Sequence, residues 1–207
     1  PIFGLSSPSG VENSFTNVSN PTTNPINNAL GWGQQGGYGD CKFLSFLNSL
    51  NKPLSNFVTI SKNGSDYKVY FKAVNTTVTV QPSDMSDANN STGDIDFVLT
   101  EIAFRKLISQ NGFNMYDGNL TNSNSLGSSL NNFLISKFFF NQTNAGEDLL
   151  TEEKFTWLLQ QYKSKNISSL IVCSQQAAAN GRPATGPENQ TLGVYYNHAY
   201  AVKYGVF

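Results

Sequence analysis

Two residues of this chain have the types and settings that nucleophilic catalysis needs. The segment Gly33-Gln34-Gln35-Gly36-Gly37-Tyr38-Gly39-Asp40-Cys41 sets Gly36, Gly37 and Gly39 just ahead of a cysteine. Phe43, Leu44, Phe46, Leu47 and Leu50 then recur at helical spacing with Pro53 beyond them, so Cys41 is expected in the first turn of a helix. A thiol there meets unsatisfied backbone N–H groups and the positive end of the helix dipole, which favour the thiolate. Glycine lets a substrate backbone approach closely, which makes Gly39 a candidate substrate-binding position. Gln35, six residues before Cys41, can donate its amide alongside the Cys41 N–H to an oxyanion. At the far end His198, the single histidine, heads the apolar run Ala199-Tyr200-Ala201-Val202. A thiol nucleophile needs a base, and His198 is the one imidazole available. Asn197 is the second candidate substrate-binding position; adjacent to His198 in a strand, it points to the opposite face and is a poor orienter of the imidazole. Taken singly, each has a plainer reading, a small buried thiol for Cys41 and a structural histidine for His198.

The elements that must position these residues read as an α+β chain. Residues 1–30 are rich in Ser, Asn, Pro, Gly and Thr and read as an extended arm or linker, with the folded core over 31–207. Tyr67–Phe71 and Thr76–Val80 form a hairpin pattern around Asn75. Ile95 to Ile108 places its apolar residues largely on one side of a helix closed by Gly112. Leu126 to Phe139 and Glu152 to Lys165 are two further helices, the latter with Thr151 as N-cap and two glutamates in its first turn. Ser168 to Ser174 and Gly193 to Tyr204 read as strands around a Gly- and Pro-rich loop, so the expected order is helices first, sheet last.

These segments together resemble the calpain-type cysteine proteases, a branch of the papain-like fold. Gln35-Gly36-Gly37-Tyr38-Gly39-Asp40-Cys41 is similar to the family's Gln-Gly-x-x-Gly-Asp-Cys nucleophile signature, and His198-Ala199-Tyr200 to its His-Ala-Tyr signature. Asp96 to Leu107 resembles its acidic-aromatic-x-x-Leu-Leu-Glu-Lys-Ala-Tyr-Ala-Lys-Leu helix, and Ser168 to Ser174 its strand Gly-Ser-Leu-Leu-x-Cys-Ser. The four anchors stand in family order over about residues 30 to 205. The resemblance implies a papain-like fold, with the nucleophile helix in a helical N-terminal lobe and a β-rich C-terminal lobe. It implies a cysteine endopeptidase acting on a protein or peptide, with Cys41 as nucleophile, His198 as base and acid, Gln35 in the oxyanion hole and Cys173 in the core. Two departures stand out. Lys42 occupies the family's tryptophan position after the cysteine. The family's catalytic Asn lies on a strand after the histidine, and the sequence given ends nine residues past His198, so the resemblance implies an Asn supplied by a downstream segment or a second chain. A start at Pro1 fits a self-processed product. The same departures support an alternative, a peptide-binding module that does not cut; a Cys–His acyltransferase is a third class that fits less well.

Composition narrows the field. In 207 residues, 39% are hydrophobic and 13% aromatic, enough for a sizeable core. Only 13% are charged, and 26 Asn stand where charges usually do, which leans towards a secreted or cell-surface protein. A net charge of −1 without basic runs gives no reason to expect nucleic acid, and no apolar stretch is long enough for a membrane span. No cofactor is called for. Calcium is raised by the family and by the acids Asp84, Asp87, Asp94 and Asp96, which lack EF-hand spacing and read as solvated loop acids; no metal ligands are assigned.

Overall fold

A computed structural model describes residues 26–28, 33–111, 134–142, 151–173, 187–189, 194–195 and 199–202. Helix α1 (Cys41–Ser49) follows the short strand β1 (Gly33–Gln34) and the glycine loop. Three strands come next, β2 (Val58–Asn63), β3 (Asp66–Phe71) and β4 (Thr76–Val80), paired antiparallel in that order. The expected hairpin is β3–β4, in register from Tyr67↔Val80 to Phe71↔Thr76. Its connection closes on Asn75, whose φ of 49° is the left-handed region that Asn tolerates. β2 escaped the sequence reading because only Val58 and Ile60 alternate before the chain turns polar. The largest sheet among the described residues therefore lies in the front half, which corrects the expected order of helices first and sheet last.

The loop expected over Pro82 to Gly93 contains a single helical turn, α2 (Pro82–Met85), and the two-residue strand β5 (Thr92–Gly93), which pairs with β1. α3 (Ile95–Gln110) then runs through the middle of the described structure, against α1, α2 and the β2–β4 sheet. Its side chains are buried almost all round, Asp96, Thr100 and Glu101 included, so the expected one-sided amphipathic helix is corrected to a central one. Residues 134–140 are helical (α4); 112–133, with the first part of that expected helix and Gly112, lie outside the described residues. α5 (Glu152–Lys163) begins as expected, with Thr151 accepting from the Lys154 N–H at 3.2 Å. Strand β6 (Ile171–Cys173) pairs antiparallel with β9 (Ala199–Ala201), and β7 (Pro187–Asn189) with β8 (Val194–Tyr195).

An aromatic cluster holds the elements together. Phe43 of α1 stacks on Phe104 of α3 with centroids 4.0 Å apart. Phe139 of α4 meets Phe46 edge-on at 5.0 Å and Phe71 of β3 at 5.6 Å. Each such pair contributes roughly 0.5–1.5 kcal/mol beyond burial itself. α5 buries only Tyr162, and polar contacts fasten it instead: the Asn51 amide donates to the carbonyls of Tyr162 and Ile167, and the Tyr162 hydroxyl to that of Ser49. Of the expected arm, Ile26 packs on the core, the Asn27 N–H donates to Asp96, and Asn28 bonds both polar groups of the Ile60 backbone. No described helix is long and apolar enough to cross a membrane.

Candidate active site

The glycine loop is clamped from three sides before Cys41 begins α1. The Asn48 side chain, two turns into α1, exchanges two hydrogen bonds with the Gly33 backbone, and β1 lies in register on β5 with Gly33 opposite Gly93. Gly37 donates to the Asn89 carbonyl at 3.0 Å. A Cβ at Gly36 would stand 2.3 Å from the carbonyl oxygens of Asn89 and Asn90, and one at Gly33 would enter the Phe97 ring at 2.0 Å. The close approach that glycine permits is therefore spent on the chain's own 89–90 segment at Gly36 and Gly37, while Gly39 is exposed.

Cys41 is half-buried at the first position of α1. One turn on, the Ser45 hydroxyl donates at 2.7 Å to the carbonyl of Ala199, a buried bond between α1 and β9. The Ala199 backbone also lies where it favours the ionised form of the Cys41 thiol. Ala199 is the residue directly after His198, so the chain next to the expected base lies against the turn that carries the expected nucleophile. His198 and Asn197 themselves lie outside the described residues, as do the side chain of Cys173 and most of the Gln175–Gln190 loop.

The thiol is not tuned as its helix start suggested. Burial pushes the Cys41 thiol up, and the nearby Asp40 adds to that; the Ala199 backbone, the Lys42 backbone and the Lys42 charge pull the other way without cancelling it. Helix-dipole assistance is outweighed because the first turn is packed rather than solvent-facing. Lys42 is itself buried, so its cation sits inside the first turn of α1. Gln35 uses one amide hydrogen on the Tyr38 carbonyl at 2.5 Å, within its own loop, which leaves one for an oxyanion.

Sequence reasoning missed the charged cluster behind the loop. Asp40 and Glu101 are both buried, and burial first, then the Glu101 charge, push the Asp40 carboxyl up to about 8 against the opposing Arg105. Arg105 stacks over the Tyr38 ring at 4.1 Å, donates to Asn90 at 2.5 Å and stands 3.9 Å from Glu101. The spacing Glu101-x-x-x-Arg105 was the available signal, an i,i+4 pair on a helix whose remaining side chains are apolar enough to bury it. Beyond it, a cavity of about 330 Å³ is lined by Tyr38, Arg105, Lys106, Ser109 and Gln110, away from Cys41.

The acids considered for calcium do not converge. Asp84 pairs with Lys106 at 2.5 Å, Asp87 accepts from the Tyr38 hydroxyl, Asp94 caps α3 at the Asp96 N–H, and Asp96 accepts from Asn27. Among the described residues no three His, Cys, Asp or Glu side chains are grouped to hold a metal ion, so these acids do not fit a calcium cage.

In comparisons with known proteins, the chain matches no family model, no curated protein and no solved structure.

Proposed function

We propose that this chain is a calpain-like cysteine endopeptidase of the papain-like type. The observation that carries the reading is the seating of α1 on β9, where the Ala199 backbone meets both the Cys41 thiol and the Ser45 hydroxyl. With Cys41 a neutral thiol at rest, attack on the scissile carbonyl needs His198 to take the thiol proton as the C–S bond forms. The Cys41 N–H and the remaining Gln35 hydrogen hold the oxyanion. His198 then returns the proton to the leaving amine, and water hydrolyses the thioester through the same base. A protein or peptide is the substrate in this reading.

One observation favours the second reading, a peptide-binding module that does not cut: the upward-shifted Cys41 thiol is poorly prepared as a nucleophile. Labelling with a substoichiometric peptidyl epoxide, the adduct located by peptide mapping, separates the two. Endopeptidase chemistry predicts a single adduct on Cys41 that His198→Ala abolishes, and loss of peptide hydrolysis in Cys41→Ala. Hydrolysis that survives in either variant refutes the assignment. Peptide binding without labelling, unchanged in Cys41→Ala, establishes the second reading.

A further inference from the structure

Asp40 stands at the N-cap of α1, where an aspartate ordinarily turns its carboxylate onto the N–H of the second or third helical residue. Here it makes no capping bond. Its carboxyl is 1% exposed and is directed to Glu101 of α3, which is 0% exposed. Of the four oxygens, Glu101 Oε2 accepts from the Ser91 N–H at 3.0 Å; neither Asp40 oxygen meets a donor, and Glu101 Oε1 has only Arg105 Nη1 at 3.9 Å. Two ionised carboxylates in that arrangement would be two buried anions facing each other with one good donor between them. A single proton removes the conflict: one acid O–H donates across the gap, and one negative charge remains to balance Arg105.

We propose that Asp40 and Glu101 hold one proton between them, as an acid–carboxylate pair that ties the first turn of α1 to α3 and so positions Cys41. The bond replaces the missing cap: it fixes the residue immediately before the thiol to the central helix rather than to its own turn. It also keeps a second anion away from the thiol, because an ionised Asp40 opposes formation of the Cys41 thiolate. The other charged or titratable groups around the pair are Arg105 on α3, Tyr38 and Asp87 on the loops in front, and Cys41 and Lys42 on α1. Asp40 and Glu101 are positioning residues here, not catalytic ones. The proposal rests on the reading of Cys41 as the reacting thiol and not on peptide hydrolysis, so its test uses no peptide substrate.

The experiment is a carboxyl-carbon NMR titration of the whole chain, with Asp40→Asn and Glu101→Gln in parallel. Urea midpoints and the rate of Cys41 alkylation by iodoacetamide, read by peptide mapping, are followed against pH. The wild type is expected to keep one carboxyl protonated at about pH 6.5, well above the ordinary Asp and Glu range. Its folding constant should fall by up to about tenfold per pH unit between about pH 5 and 7, the linkage of one proton held in the folded state alone. Asp40→Asn supplies a permanent donor to Glu101, so the protonated signal should vanish and that slope flatten. Cys41 should alkylate severalfold faster than in the wild type at about pH 8.5, where the wild-type Asp40 carries charge. In Glu101→Gln the Asp40 carboxyl should titrate much closer to the ordinary range. No protonated carboxyl in the wild type, or one that persists in Asp40→Asn, overturns the proposal, as does an unchanged alkylation profile in that variant. If Asp40→Asn does not fold, the wild-type titration alone decides.

Discussion

Replacing Ser45 by Ala tests whether α1 and β9 are coupled as the site requires. The hydroxyl donates at 2.7 Å to the Ala199 carbonyl, and both residues are buried. Alanine leaves the helix propensity intact, since Ala is the best helix former, and removes only the donor. A buried carbonyl that loses its partner costs about 1–3 kcal/mol, and the favourable change in helix propensity returns a few tenths, so a net loss of about 1–2 kcal/mol is expected. With an urea slope of about 2 kcal/mol/M for a chain of this size, the midpoint should fall by about 0.5–1 M. Function should suffer separately. The bond lies one turn from Cys41 and one residue from His198, and in the proposed endopeptidase a displacement of these groups by about 1 Å costs on the order of a hundredfold in rate. Epoxide labelling of Cys41 should therefore slow by roughly ten- to a hundredfold at a urea concentration where both proteins remain folded. A midpoint within about 0.2 M of wild type together with an unchanged labelling rate would refute the reasoning, because the bond would then neither stabilise the sheet nor register the strand.

Four further outcomes are expected. Phe43→Ala, which removes a fully buried ring stacked on Phe104, should cost about 3–5 kcal/mol by urea denaturation. Gly36→Ala drives a methyl to 2.3 Å from two backbone oxygens and should destabilise by on the order of 1–3 kcal/mol, visible as a lowered melting temperature. Lys42→Met removes a cation that lowers the Cys41 thiol and should slow alkylation of Cys41 severalfold at about pH 8 without a large stability loss. The wild-type stability–pH curve should peak in mild acid. Asp40 and Asp96 are raised above their ordinary range, both mainly by burial, so their contribution is complete below about pH 4 and is lost as pH rises, for Asp40 towards 8. Asp84 is lowered because Lys106 outweighs its burial, and Asp87 by the Tyr38 hydroxyl, so their contribution is lost as pH falls below about 4. Midpoints that rise from pH 5 to 8 would contradict the sign.

How far the sequence carried depended on whether each signal was local. The start of α1 was legible because the apolar spacing from Phe43 to Leu50 and the stop before Pro53 are properties of one segment. Thr151 as a cap and Asn75 as a turn were legible for the same reason, each residue type having one local use in its place. β2 and the burial of α3 were not. Val58 and Ile60 alone are a weak alternation, and whether a helix is covered on one side or all round depends on what the rest of the chain lays against it. At the site, the sequence named Cys41 but not its surroundings. Asp40 looks like an ordinary N-cap, and only its failure to cap, together with a buried glutamate opposite, shows that it does something else.

Burial has two opposed effects at the first turn of α1. The packing that brings Ala199 to Cys41 and seats Asp40 against Glu101 fixes geometry, yet it also raises both the thiol and the carboxyl. A site built this way cannot rely on the helix dipole to supply a thiolate, because the low-polarity surroundings that make the dipole felt penalise the anion more. The opposition has to come from specific partners, and three act on this turn: the Ala199 backbone, the buried Lys42, and a proton that keeps Asp40 neutral. The first depends on β9 being in register and the second on Lys42 staying inside. The third depends on pH, and it fails in the same direction as the stability of the fold. Raising the pH through the Asp40 transition should therefore loosen the turn and oppose the thiolate together, so Cys41 should lose reactivity relative to an exposed thiol before its own ionisation is complete. An alkylation profile for Cys41 that instead follows a simple single-group titration would mean that Asp40 and Cys41 are independent.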